Sequence, residues 1–155
     1  MVKTVKTALA LCGALLMASG AASAETQLSN TKAFRAAYGL SFFGFDLCGD
    51  AAMGALYRKA LTEKVAHCPF TPAAKADFGK WTADADQRVP AEVKRDIAEH
   101  DKLPESLDEK RVNCRKERQT PAYQKTIALL DRYAKGEAKF DEIVPDKCDV
   151  QAAAP

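Results

Sequence analysis

The stretch GLSFFGFDLCGDAAMG, residues 39–54, places glycine at every fifth position among three phenylalanines, two aspartates and a cysteine. Helical spacing enters it through Phe34, Tyr38, Phe42 and Phe45 and leaves it through Ala52, Leu56 and Ala60. One unbroken helix over residues 31–67 would be roughly 55 Å long. A domain of this size has a radius of gyration near ~14 Å, so such a rod would project far beyond its own core. The chain must therefore turn, and Cys48-Gly49-Asp50 is the place suited to it. Gly49 can take the left-handed conformation that ends a helix. Asp50 can cap the next helix, accepting N–H bonds at its positive end. Gly44 and Gly54 each lower helix stability by about 1 kcal/mol. That cost predicts close approach of a second helix at both positions. The stretch reads as a hinge between two core helices.

Working outward, other helix starts are visible. Thr71-Pro72 offers an N-cap and a proline at the first helical position, followed by Ala74, Phe78, Trp81, Ala85 and Val89 on one face. Phe78 and Trp81 read as packing residues. Thr120-Pro121 repeats the start, with Tyr123, Ile127, Leu130 and Ala134 behind it and Gly136 placed to stop the helix. Pro90 and Pro104 should bracket a shorter segment carrying Val93 and Ile97, and residues 105–118 form a very polar helix candidate. No run alternates as a strand does. The pattern predicts a small all-α bundle of five to six helices, one domain over residues 25–150, with residues 151–155 as a disordered tail.

The amino end reads as a cleaved signal peptide. Lys3 and Lys6 precede the apolar run of residues 8–18, and Ala22-Ser23-Ala24 is a small-x-small site before Glu25. The run is too short to span a bilayer, which needs about 20 residues, so the mature form should carry no transmembrane anchor. Cys12 lies inside the apolar run and follows Leu11, which does not suit lipidation. Removing residues 1–24 takes away Lys3 and Lys6 and no acid, so the formal charge of +2 falls to zero. A neutral chain has no global field to draw in nucleic acid.

Four cysteines remain in the mature chain: Cys48, Cys68, Cys114 and Cys148. An even number in an exported chain reads as two disulfides. No C-x-x-C pair occurs, which excludes zinc-ribbon, haem-attachment and thioredoxin-type motifs. Cys48 and Cys68 flank a helix about 25 Å long, and a disulfide needs Cα atoms within about 7 Å, so those two cannot pair. Two pairings remain. The preferred one joins Cys68 to Cys114 and Cys48 to Cys148, since an up-down arrangement puts Cys68 and Cys114 near helix ends on one side.

Chemistry-bearing residues are sparse. Asp46 and Asp50 could share a metal, although capping by Asp50 and pairing of Asp46 with Arg111, Arg115 or Arg118 is the simpler reading. Glu92, Asp96 and His100 fall on one helix face at i, i+4, i+8 and could hold a metal cation alone or across a homodimer interface. A solvated charged face with Lys94, Arg95 and Lys102 is the plainer alternative. Asp84 with Asp86 and Asp141 with Glu142 are further acidic pairs. The basic run Lys110, Arg111, Arg115, Lys116 and Arg118 is diluted by Asp108, Glu109 and Glu117. His67 sits at a helix end, where it suits the dipole better than a metal. Ser29, Ser41 and Ser106 lie in no nucleophile elbow, and no EF-hand, H-E-x-x-H or phosphate loop occurs. No cofactor is indicated beyond that hard cation.

These observations favour a periplasmic binding or accessory protein, chaperone-like or inhibitory, whose partner is another periplasmic protein. A metal-cation-binding protein that uses surface carboxylates is the first alternative. A small hydrolase is the second, and the poor catalytic inventory counts against it.

Overall fold

A computed structural model describes residues 27–100 and 113–149, without the side chains of residue 93 and residues 96–100. The segment expected to be a signal peptide, Pro104, the first part of the polar segment and residues 150–155 lie outside the described residues. The fold is an all-α bundle stapled by two disulfides. Its helices are α1 (Lys32–Ser41), α2 (Ala51–His67), α3 (Pro72–His100), α4 (residues 113–119), α5 (Pro121–Ala134) and α6 (Phe140–Ile143). A π-helical turn, Phe42–Asp46, continues α1 directly. Ahead of α1, Leu28 pairs with the α2–α3 loop: its N–H donates to Pro69 O and its carbonyl accepts from Thr71 N, each at 2.9 Å.

The hinge falls where the glycine spacing put it. Gly49 has φ +87° and α2 begins at Ala51. The turn before it is wider than expected: Leu47 N–H donates to Phe42 O and Asp50 N–H to Phe45 O, both i to i−5 bonds of 2.9 Å. This turn keeps Phe42 and Phe45 both in the core, continuing the inward face of Phe34 and Tyr38. Gly54 is the close approach that its helix cost implied. A Cβ there would lie 2.2 Å from Asp46 Oδ1 and 3.0 Å from the Phe45 Cβ. Gly44 is not one: a Cβ there would meet nothing within 4 Å, because this glycine faces outward on the π turn.

Thr71 and Thr120 act as the predicted caps, accepting from Ala74 N at 3.1 Å and Tyr123 N at 3.2 Å. Gly136, at φ +75°, ends the α5 region. The expected break at Pro90 does not occur; the proline lies inside the 29-residue α3. Packing outweighs its lost N–H bond. Phe78, Ala85 and Val89 stay buried along one stripe, and Tyr38 of α1 holds the same face through edge-on contacts with Phe78 and Trp81 and a 2.8 Å bond to Asp86. The core gathers this stripe with Phe34, Phe42, Leu61, Leu130, Ile143 and Val144.

The disulfides also differ from the preferred pairing. Cys48 pairs with Cys114 and Cys68 with Cys148, each with Cα atoms 5.5 Å apart. The preferred pairing of Cys68 with Cys114 and Cys48 with Cys148 is therefore corrected, while the exclusion of Cys48–Cys68 holds. Cys114, at the start of the described part of α4, lies at the amino end of α2, beside Cys48. The two disulfides thus staple opposite ends of α2, about 25 Å apart along its axis.

Candidate functional site

Asp46 and Asp50, four residues apart, enter two different polar clusters. The first is built on α2. Gly54, Arg58, Leu61 and Val65 share its inward face, so Arg58 carries a guanidinium into the core at 9% exposure. Such a charge must be paired. Arg58 Nη1 and Nη2 donate to Asp46 Oδ1 and Oδ2, both at 3.1 Å, in a two-pronged bond. Nη1 also donates to Ser41 Oγ at 3.1 Å, and the guanidinium lies 3.9 Å from the Phe42 ring centroid. Gly54 leaves the room in which the Asp46 carboxylate sits. The partner of Asp46 is therefore Arg58, not an arginine of the polar helix. The clue in the sequence was an arginine on an otherwise apolar stripe.

The second cluster joins three elements at the hinge. Asp50 occupies the N-cap position of α2, but its side chain makes no capping bond. Its carboxylate accepts instead from Arg118 Nε of α4 at 3.0 Å and from the Tyr123 hydroxyl of α5. Arg118 also donates to the Cys48 carbonyl. Tyr123 packs its ring 5.9 Å from Phe45. Sequence spacing could not show that Arg118 and Tyr123 converge on Asp50, since both are distant in the chain.

Of the exposed acidic face, Glu92 is taken by Arg88, with Nη1 donating at 3.1 Å. The side chains of Asp96 and His100 lie outside the described residues. Among the described residues, no three His, Cys, Asp or Glu side chains converge as a metal site would require. His67 stacks on Phe140 at 4.6 Å, and its Nδ1 lies 2.8 Å from Glu63 O. Ser41 is buried; its hydroxyl donates to Tyr38 O at 2.6 Å and accepts from Arg58, so no base is poised to activate it.

Two concave features remain. A cleft of about 570 Å³ between the π turn, α2 and α3 is lined by Tyr38, Asp46, Arg58, Glu63 and Asp86, with Pro90 at its edge. Its carboxylates have partners within the fold: Asp46 is paired with Arg58, Glu63 lies 4.0 Å from Lys59, and Asp86 accepts from the Tyr38 hydroxyl. A groove of about 660 Å³ lies between α2 and α5. Met53, Tyr123, Ile127 and Ala128 make it mostly apolar, the Asp50–Arg118 pair and Gln124 are polar, and Asp131 adds a carboxylate.

All four tyrosines hold their protons unusually tightly. Burial raises the pKa of each, and a carboxylate adds to it: Asp86 at Tyr38, Asp146 at Tyr57, Asp50 at Tyr123 and Glu63 at Tyr133. Tyr123 is pushed up to about 12. Among the described residues the buried Tyr133 hydroxyl has no hydrogen-bond partner of good geometry, and burial together with the neighbouring Glu63 carboxylate disfavours its phenolate. A folded-state pKa above the unfolded value near ~10 stabilises the protein below that pH, and the contribution fades as pH rises through the folded values. Phenolate absorbance at 295 nm should therefore lag that of urea-unfolded protein across about pH 10–12. Native protein that ionises its tyrosines near pH 10, with helical circular dichroism intact, would contradict these environments.

No helix of the described residues is long and apolar enough to cross a membrane. No family model, curated protein or solved structure matches the chain.

Proposed function

We propose that this is an exported, periplasmic binding module that holds a segment of another protein in the α2–α5 groove. The observation that carries the reading is the open apolar trough of Met53, Tyr123, Ile127 and Ala128, with the Asp50–Arg118 pair and Asp131 among its lining residues. A short apolar stretch flanked by polar residues is complementary to such a trough, the chemistry of helix-in-groove recognition. The disulfide-braced frame supports it, because a groove set in advance saves the entropy of ordering it on binding. A hard cation would have to compete with Arg58 for Asp46 and with Arg118 for Asp50, so protein contact is the stronger reading.

The test is capture from a periplasmic extract, with a photo-crosslinker at position 128. Ile127→Asp should lower capture about 30-fold, the scale of losing one interface anchor worth about 2 kcal/mol. Leu40→Ser serves as the control, since Leu40 is 67% exposed and does not line the groove. Equal capture by wild type and Ile127→Asp, or turnover in a hydrolase screen with no partner captured, would reverse the reading.

A further inference from the structure

The two disulfides differ in their surroundings. Cys68 is 1% exposed and belongs to the core, and Cys148 is partly exposed and packs against that core. Cys48 and Cys114 are both partly exposed and lie outside it. Beside Cys48, Gly49 is exposed and presents no side chain to shield the sulfur. Cys114 lies on α4, whose residues 113 and 115–119 are all exposed. Either sulfur of this pair can be approached, whereas attack on Cys68 requires the core to part and attack on Cys148 must expel Cys68 as a thiolate into the core.

The leaving groups differ in the same sense. A disulfide is cleaved faster when the departing sulfur is a stable thiolate. Cys48 lies three residues ahead of the first residue of α2, whose first-turn N–H groups receive no side-chain cap because the Asp50 carboxylate is drawn to Arg118 and Tyr123. That positive helix end favours a thiolate at Cys48, against the negative end of the π turn before it, where the Cys48 N–H donates to Phe45 O. The Arg118 guanidinium donates to the Cys48 carbonyl and would lie 3.5 Å from a Cβ at Gly49, so a cation is also held there, partly offset by Asp50. Cys68 faces the reverse situation, since a thiolate among apolar side chains is disfavoured.

We propose that Cys48–Cys114 is a thiol-exchange site, reduced in the folded protein by a dithiol reductant, while Cys68–Cys148 is structural. A thiolate of the reductant attacks Cys114 Sγ. The Cys48–Cys114 bond breaks, a mixed disulfide forms at Cys114, and Cys48 leaves as the thiolate. The second thiol of the reductant, once deprotonated, attacks its own sulfur in the mixed disulfide and releases the Cys114 thiolate, which takes up a proton. Two electrons pass to the protein, and the reductant ends as a disulfide. Reduction removes the covalent tie of α4 to the hinge and leaves Arg118 with its Asp50 and Cys48 contacts to hold it. The site does not depend on what the groove binds.

The test is a dithiothreitol time course on the folded full-length mature protein at neutral pH, quenched with an alkylating agent and read by peptide mapping. Cys48 and Cys114 should be alkylated at least roughly 100-fold faster than Cys68 and Cys148, because attack on Cys68 waits for an opening of the core and attack on Cys148 leaves a thiolate inside it. Helical circular dichroism should persist through the first phase, and trypsin should then cut within residues 113–119. A second measurement uses Cys114→Ser, which leaves Cys48 as a free thiol. Its reaction with an aromatic disulfide should keep its rate well below the usual thiol pKa of about 8.5. Loss of both disulfides together, earlier reduction of Cys68–Cys148, or a Cys48 thiol that reacts only above that pH would each overturn the assignment.

Discussion

Replacing Arg58 with methionine is expected to destabilise the protein by about 3 kcal/mol, because it strands the Asp46 carboxylate beside Phe45 and Gly54 without its counter-ion. The pair is largely buried, with side-chain exposures of 10% for Arg58 and 16% for Asp46. Removing one member of such a pair costs far more than the pair itself is worth, since the survivor keeps its desolvation penalty. The guanidinium also covers Phe42 and satisfies Ser41 Oγ, two contacts that methionine only partly replaces. The double variant Arg58→Met with Asp46→Leu removes both charges and should recover most of the loss. Urea unfolding followed by Trp81 fluorescence measures both. A single variant within about 1 kcal/mol of wild type would mean that Asp46 is hydrated despite its surroundings.

Removing the inner disulfide with Cys68→Ala and Cys148→Ala should cost about 4 kcal/mol, since the bond closes a loop of 80 residues. Alanine is chosen because a serine hydroxyl at the 1%-exposed Cys68 would add an unpaired polar group. Against the usual 5–15 kcal/mol of a small domain, such a loss lowers the urea midpoint by about 2 M. α6 should loosen first, because Cys148 follows it closely and Lys64 holds it only through an exposed partner, Asp141, at 2.6 Å. Hydrogen exchange should therefore rise at residues 140–148 before it rises in α2. An unchanged midpoint would show that Ile143 and Val144, both buried, anchor this end without the covalent bond.

Local chemistry was legible where it acts over a few residues. Thr71 and Thr120 cap their helices, Gly49 and Gly136 take positive φ, and the aromatic series from Phe34 to Phe45 faces inward, all as spacing and residue type implied. Even the exclusion of Cys48–Cys68 rested on helix length alone. Pro90 marks where local rules stop. A proline lowers helix stability, but the buried stripe from Phe78 to Val89 and the Tyr38–Asp86 bond act over the whole of α3 and outweigh it. The disulfide pairing depends on which end of α2 the chain returns to, which no local rule shows. The partners of Asp50 depend on the same return. Asp50 could have capped α2 unaided, yet Arg118 and Tyr123 arrive from far along the chain and take its oxygens. Asp46 lies over Gly54 and meets Arg58 because the π turn and α2 fold back against each other. The helix starts, the two threonine caps and the hinge were legible in the residues alone, since these depend on backbone geometry within a turn or two. The continuity of α3, the pairings and the groove were not, since these depend on which surfaces and helix ends the packed core brings together.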